Sequence, residues 1–209
     1  MNKKAARPII IGITGSFGTG KSTIAAMFKK LGARVFDADK IAHRLIRKDM
    51  QVYGKILKEF GRGVLAKSGA IDRTKLAAVV FCDRKPLDKL CGIIHPAVIN
   101  DIKKAIEAVA KKGRTPAIVI DAPLLIEADM HKMVDVLIVV ATGPEIQIER
   151  ARKNTGLSVT GIRQRIKNQL PLKEKVRMAD YVIDNEGSRK DVKKIVKKIW
   201  EEIKSGRKY

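Results

Sequence analysis

A chain of 209 residues can bury a full core and suits one α/β domain with an insertion better than two independent domains. Hydrophobic residues make up 45% of it, but no apolar run approaches the roughly 18 residues that a membrane helix needs, so a spanning helix is excluded. Its 44 Lys and Arg against 22 Asp and Glu give a net charge of +22, which attracts polyanions in general. The cations are spread along the chain and aromatics reach only 4%, so phosphorylated small substrates are the expected partners rather than nucleic acid.

Met1-Asn2-Lys3-Lys4 and the short apolar stretch after it imitate a secretory signal, but that stretch runs into a Gly-rich loop and no small-residue cleavage site precedes it. Pro8 to Ile13 reads as a buried parallel strand, and Ser22 to Leu31 as a helix ending at Gly32. Between them, Gly15-Ser16-Phe17-Gly18-Thr19-Gly20-Lys21-Ser22 spells G-x-x-x-x-G-K-[ST]. The order strand, loop, helix is the one a phosphate loop requires. Glycines let the backbone curl so that its N–H groups face phosphate oxygens, and the helix offers its positive end to the same anion. Lys21 would neutralise the β- and γ-phosphates of a nucleoside triphosphate, Ser22 would place a hydroxyl on Mg²⁺, and Thr23 completes the binding stretch.

Ala33 to Phe36 reads as a second strand, followed by Asp37-Ala38-Asp39. Ligands of open α/β sheets gather beyond the carboxyl ends of the strands, so one carboxylate could accept the proton of an attacking hydroxyl while the other supports it. Asp39 is the expected base and Asp37 the support, although either could cap the helix that starts at Lys40. From about 51 to 112 the strand signal disappears and helical periodicity takes over, with Pro86 and Pro96 as punctuation. His95, before Pro96, is expected in extended or turn geometry at a helix start. Cys82 and Cys91 lack the C-x-x-C spacing of a zinc site and the number of a disulfide framework, so a reducing cytoplasm is the expected setting. His43 and His131 are expected to be structural.

Further strands are expected at Ala117 to Ile120, Val134 to Val140 and Tyr181 to Ile183, giving a parallel sheet flanked by helices. Asp121 ends the first of these, in the place of a carboxylate near magnesium or of a backbone cap. Basic residues cluster from about 144 to 178 and could close over the nucleotide as a lid. The run Asp191 to Ile203 reads as an amphipathic helix with Trp200 in the core. One domain is thus expected, with its core in 7–50, 113–143 and 179–209, a helical insertion at about 51–112 and a lid at about 144–178. A regulatory GTPase is disfavoured, because the guanine-reading N-K-x-D element is missing.

In chain order, the phosphate loop, Asp37-Ala38-Asp39-Lys40-Ile41-Ala42, Ile94-His95-Pro96, and Asp121-Ala122-Pro123-Leu124-Leu125-Ile126-Glu127 are followed by Gln147-Ile148-Glu149-Arg150 and Gly156-Leu157-Ser158. Next come Gln169-Leu170-Pro171-Leu172-Lys173-Glu174-Lys175 and Ala179-Asp180-Tyr181-Val182-Ile183-Asp184-Asn185. Together these resemble the dephospho-coenzyme A kinase family over nearly the whole chain. The resemblance implies a P-loop fold with a nucleotide-binding core, a helical substrate domain and a lid. It also implies ATP as donor, Mg²⁺, and the 3′-hydroxyl of dephospho-coenzyme A as nucleophile. Asp39 takes the place of the family's base, and Thr14, Asp37, His95, Pro123 and Leu124 fall to the substrate. Asn154 stands where the lid commonly carries Arg, which leaves Arg150, Arg152 or Lys153 to supply that charge, with Arg150 the first choice.

Overall fold

The computed structural model describes residues 7–47, 50–80, 83–113 and 115–206. Cys82 and the signal-like start at Met1 to Lys4 lie outside the described residues. The chain divides into two compact units, one comprising Met1–Phe36 with Ala108–Tyr209, the other Asp37–Glu107.

The first unit is built on a five-stranded sheet in the order β2-β3-β1-β4-β5. Its strands are β1 (Ile9–Gly15), β2 (Arg34–Asp37), β3 (Ala117–Asp121), β4 (Val136–Ala141) and β5 (Tyr181–Asp184). The pairs β1–β3, β1–β4 and β4–β5 are parallel, with Ile9 opposite Ala117, Ile11 opposite Val136 and Ile138 opposite Tyr181. Each strand expected from the sequence forms, within one or two residues of its expected bounds. The central strands are apolar on both faces because both are covered: every residue of β3 is buried. On one face α1 (Lys21–Lys30) and α9 (Arg189–Lys204) enclose Ile11, Ile13, Val119 and Ile138, with Phe28 of α1 and Trp200 of α9 edge to face at 6.1 Å. Trp200 is 2% exposed, in the core as expected. Helix α8 (Leu172–Met178) packs on β4 and β1, and α6 (Pro144–Thr155) packs on α7 (Val159–Lys167).

The second unit is helical, with α2 (Ala38–Leu45), α3 (Gln51–Phe60), α4 (Arg73–Val80) and most of α5 (Arg84–Lys112). Its own core gathers Val52, Ile56, Val64, Leu76 and Val80, with Ile93, Ile94 and Ala97 packed against them. Those last three explain a departure from expectation. Pro96 does not punctuate this segment, and His95 does not start a helix; both lie inside α5, which runs unbroken for 29 residues. A proline costs an interior helix one hydrogen bond and its ring crowds the preceding turn, but apolar neighbours on both sides of Pro96 hold the helix to the core.

Candidate active site

The loop after β1 is tight because glycine occupies the points of closest approach. Gly18 has φ +88°, and a Cβ there would meet the Gln147 carbonyl oxygen at 2.6 Å. Gly15, with φ +150°, leaves no room for a Cβ against the Val140 carbonyl oxygen of β4. At the loop's end Gly20 is the N-cap of α1, with no side-chain cap and no acidic residue in the first turn. By contrast α9 is capped internally, Ser188 Oγ accepting the Asp191 N–H at 3.2 Å. The positive end of α1 is therefore left for an external anion. Lys21 is only 9% exposed and its Nζ donates to the Ser16 carbonyl oxygen at 2.9 Å, which folds the cation back over the loop.

Side-chain amides from remote segments hold this loop in shape. Gln147 of α6 donates from Nε2 to Ser16 Oγ at 2.8 Å and to the Phe17 carbonyl oxygen at 2.6 Å. Gln169, between α7 and α8, accepts the Phe17 N–H at 2.8 Å and the Ser16 hydroxyl at 3.3 Å. Asn185, just past β5, donates from Nδ2 to the Thr19 carbonyl oxygen at 2.8 Å, and its backbone carbonyl oxygen accepts Arg150 Nη1 at 2.7 Å. Sequence reasoning gave none of the three amides a role, although each lies in a motif carried by the family resemblance. Arg165 of α7, within the basic stretch at about 144 to 178, stands 5.3 Å over the Phe17 ring. Arg152, Lys153 and Asn154 are exposed at the end of α6.

Beside the loop, Asp121 ends β3 and is 5% exposed, and Ile13 of β1 lies opposite it in the sheet. The turn that follows is also engaged: the Thr14 hydroxyl donates to the Pro123 carbonyl oxygen at 3.3 Å, and the same oxygen accepts Lys175 Nζ at 2.7 Å. Leu124 is half-buried in that turn. Among the described residues no group of three or more His, Cys, Asp or Glu gathers as a metal cage. Ser22 is exposed at the start of α1 and Asp121 is buried at the end of β3; a hydroxyl and a carboxylate are oxygen donors of the kind Mg²⁺ accepts when water and phosphates complete its shell.

Of the remaining residues singled out in the sequence, all but His131 belong to the second unit. Asp37, at the end of β2, is the N-cap of α2: it accepts the Lys40 N–H at 2.9 Å and pairs with Lys40 Nζ at 3.1 Å. The capping role left open for either aspartate thus falls to Asp37. Asp39 is exposed in the first turn of α2, and His95 is half-buried on α5. His43 is in the last turn of α2, and His131 in a 3₁₀ turn after β3.

Residues 9–191 match the model of the dephospho-CoA kinase family, CoaE. A dephospho-CoA kinase of Aquifex aeolicus is 45% identical over 193 residues, 92% of this chain and 96% of that protein. One from Carboxydothermus hydrogenoformans is 41% identical over 86% of each chain. Among solved structures, that of dephospho-CoA kinase from Campylobacter jejuni superposes with a TM-score of 0.68 at 28% identity, covering 94% of this chain and 98% of that one. Shikimate kinase from Acinetobacter baumannii, at 18% identity and a TM-score of 0.53, shares the fold alone. With a phosphate loop built as described and a family match that spans both compact units, this chain belongs to the dephospho-CoA kinase family.

Proposed function

We propose that this chain transfers the γ-phosphoryl group of ATP to the 3′-hydroxyl of dephospho-coenzyme A, giving coenzyme A and ADP. The reading is carried by one observation: the loop Gly15 to Ser22 stands braced at an uncapped helix start in a chain matched to a kinase family over residues 9–191. The N–H groups of Gly18, Gly20, Lys21 and Ser22 cradle the phosphates, and Lys21 turns from the Ser16 carbonyl to the β- and γ-phosphates as they arrive. Ser22 and Asp121 would hold Mg²⁺, which neutralises charge between the phosphates when bound. Asp39 takes the proton of the attacking hydroxyl, and the bond to the γ-phosphorus forms as the bond to the leaving ADP oxygen breaks. Thr14, Asp37, His95, Pro123 and Leu124 are the residues proposed to bind the acceptor. Arg150 and Arg165 supply positive charge from the side of α6 and α7. The proposed setting is the cytoplasm, where thiols such as Cys91 and that of the substrate stay reduced.

The test is an assay of ATP consumption against dephospho-coenzyme A, nucleosides and shikimate. Dephospho-coenzyme A alone should be turned over. Lys21→Ala should lose on the order of a hundredfold or more in kcat, as for removal of one preorganised charge-stabilising donor. Asp39→Asn should lose about 10²–10⁴-fold with acceptor affinity largely kept. A folded Lys21→Ala protein with near-wild-type turnover removes the phosphate-loop assignment; unchanged turnover in Asp39→Asn moves the base elsewhere.

A further inference from the structure

Lys175 is a lysine with no exposed surface, on a short helix that supplies no loop residue. Burial disfavours its charged form and lowers its pKa, against which the neighbouring Glu127 carboxylate works by raising it. An ammonium withdrawn from water in this way needs full hydrogen bonding. It has two partners on the turn after β3: Glu127 Oε1 at 2.8 Å and the Pro123 carbonyl oxygen at 2.7 Å.

The Glu127 oxygen that receives Lys175 also accepts the Leu170 N–H at 2.8 Å. Leu170 adjoins Gln169, whose Oε1 holds the Phe17 N–H at 2.8 Å and the Ser16 hydroxyl at 3.3 Å. A continuous set of short contacts therefore joins a buried cation to the phosphate loop, through Glu127, one backbone amide and one side-chain amide. Glu127 is 21% exposed, so without Lys175 its carboxylate has an open route to water. Released from that carboxylate, the Leu170 backbone no longer fixes where Gln169 points, and the Phe17 N–H loses its acceptor.

We propose that Lys175 and Glu127 are positioning residues for the nucleotide site: their ion pair sets the conformation of the Ser16–Phe17 segment through Leu170 and Gln169. The proposal rests on the reading of Gly15 to Ser22 as the ATP site. It separates two kinds of contribution that a buried ion pair could make. A pair that only holds α8 to the turn would affect the melting temperature and leave ATP affinity alone. A pair that sets the loop must change ATP affinity, and must do so by way of Gln169.

A double-mutant cycle on the full chain tests this, with the dissociation constant of a non-hydrolysable ATP analogue measured by calorimetry beside kcat, both KM values and a thermal melt. Gln169→Leu and Lys175→Met should each weaken the analogue about tenfold, the size of one lost hydrogen bond to a well-placed partner. The double variant should bind no more weakly than Gln169→Leu alone, because the two changes break one linkage. Lys175→Arg should restore part of the affinity, and the KM for dephospho-coenzyme A should move much less than that for ATP. Independent, multiplying losses overturn the proposal, as does unchanged affinity in a folded Lys175→Met protein. If Lys175→Met melts below the assay temperature, Glu127→Ala takes its place in the same cycle, with the same expected and overturning results. Lys21→Ala is the control on the loop: if it still binds the analogue as the wild type does, the ATP-site reading falls and takes the proposal with it. If it loses binding while the cycle is additive, only the proposal falls.

Discussion

Arg150 and Arg165 bring the same charge toward the phosphate loop but are held differently, and the difference decides what each can do. The Arg150 guanidinium is bound to the Asn185 carbonyl, and the Asn185 amide in turn holds Thr19, so part of its action is to brace the loop. The Arg165 guanidinium stands over the Phe17 ring, on the loop segment where phosphate charge would be met. Arg165→Ala should therefore lower kcat by about 10²-fold, as for loss of one group that stabilises charge in the transition state, with little change in the KM for ATP. Arg150→Ala should raise the KM for ATP more than it lowers kcat. Steady-state kinetics of the two variants would show the assignment reversed if the pattern is inverted.

Among the elements, α9 helps keep the sheet and α1 together, since Val192, Val196, Ile199, Trp200 and Ile203 all belong to the main core. Trp200→Ala should cost about 3–5 kcal/mol of stability, the usual range for truncating a buried large aromatic side chain. Urea unfolding followed by circular dichroism measures this, because the variant lacks the chain's single tryptophan as a fluorophore. The strands and the outer helices were legible in the sequence for the same reason that they are stable. A parallel strand covered on both faces must be a short apolar run, and a helix lying on it must repeat at 3.6. The loop glycines were legible because the chemistry dictates local spacing. The amides that brace the loop were not, because Ser16 meets Gln169 across 153 residues and no local pattern registers that meeting. The run of α5 through Pro96 was hidden for a related reason: local propensity argued for a break, and packing of Ile93, Ile94 and Ala97 overrode it.

Across the whole molecule the net charge is +22, and four of its cations edge one groove on the first unit. A groove of about 790 Å³ begins at Ser22 and Thr23 and is edged by Lys30 of α1 and Arg189, Lys190 and Lys193 of α9, with no carboxylate in its lining. Field lines concentrated there draw anions toward the phosphate loop before any contact forms. Raising the salt from about 0.05 M to about 0.5 M shortens the screening length below the width of such a groove, so the KM for ATP should rise severalfold while kcat barely changes. A salt titration in which kcat falls and KM holds would place the role of the charge inside the closed site instead.

The bracing of the phosphate loop also has a consequence for the order of events as the protein is made. Residues 15–22 are synthesised before Asn185, which lies 166 residues after the Thr19 that it holds. A ribosome-bound chain that stops short of Asn185 has the loop's residues without its scaffold, and closing so wide a separation is slow because the entropy is spent before the contact forms. Capture of nucleotide should thus be deferred until Asn185 has reached the loop, and ATP present during refolding should stabilise the finished fold rather than an intermediate that lacks this contact.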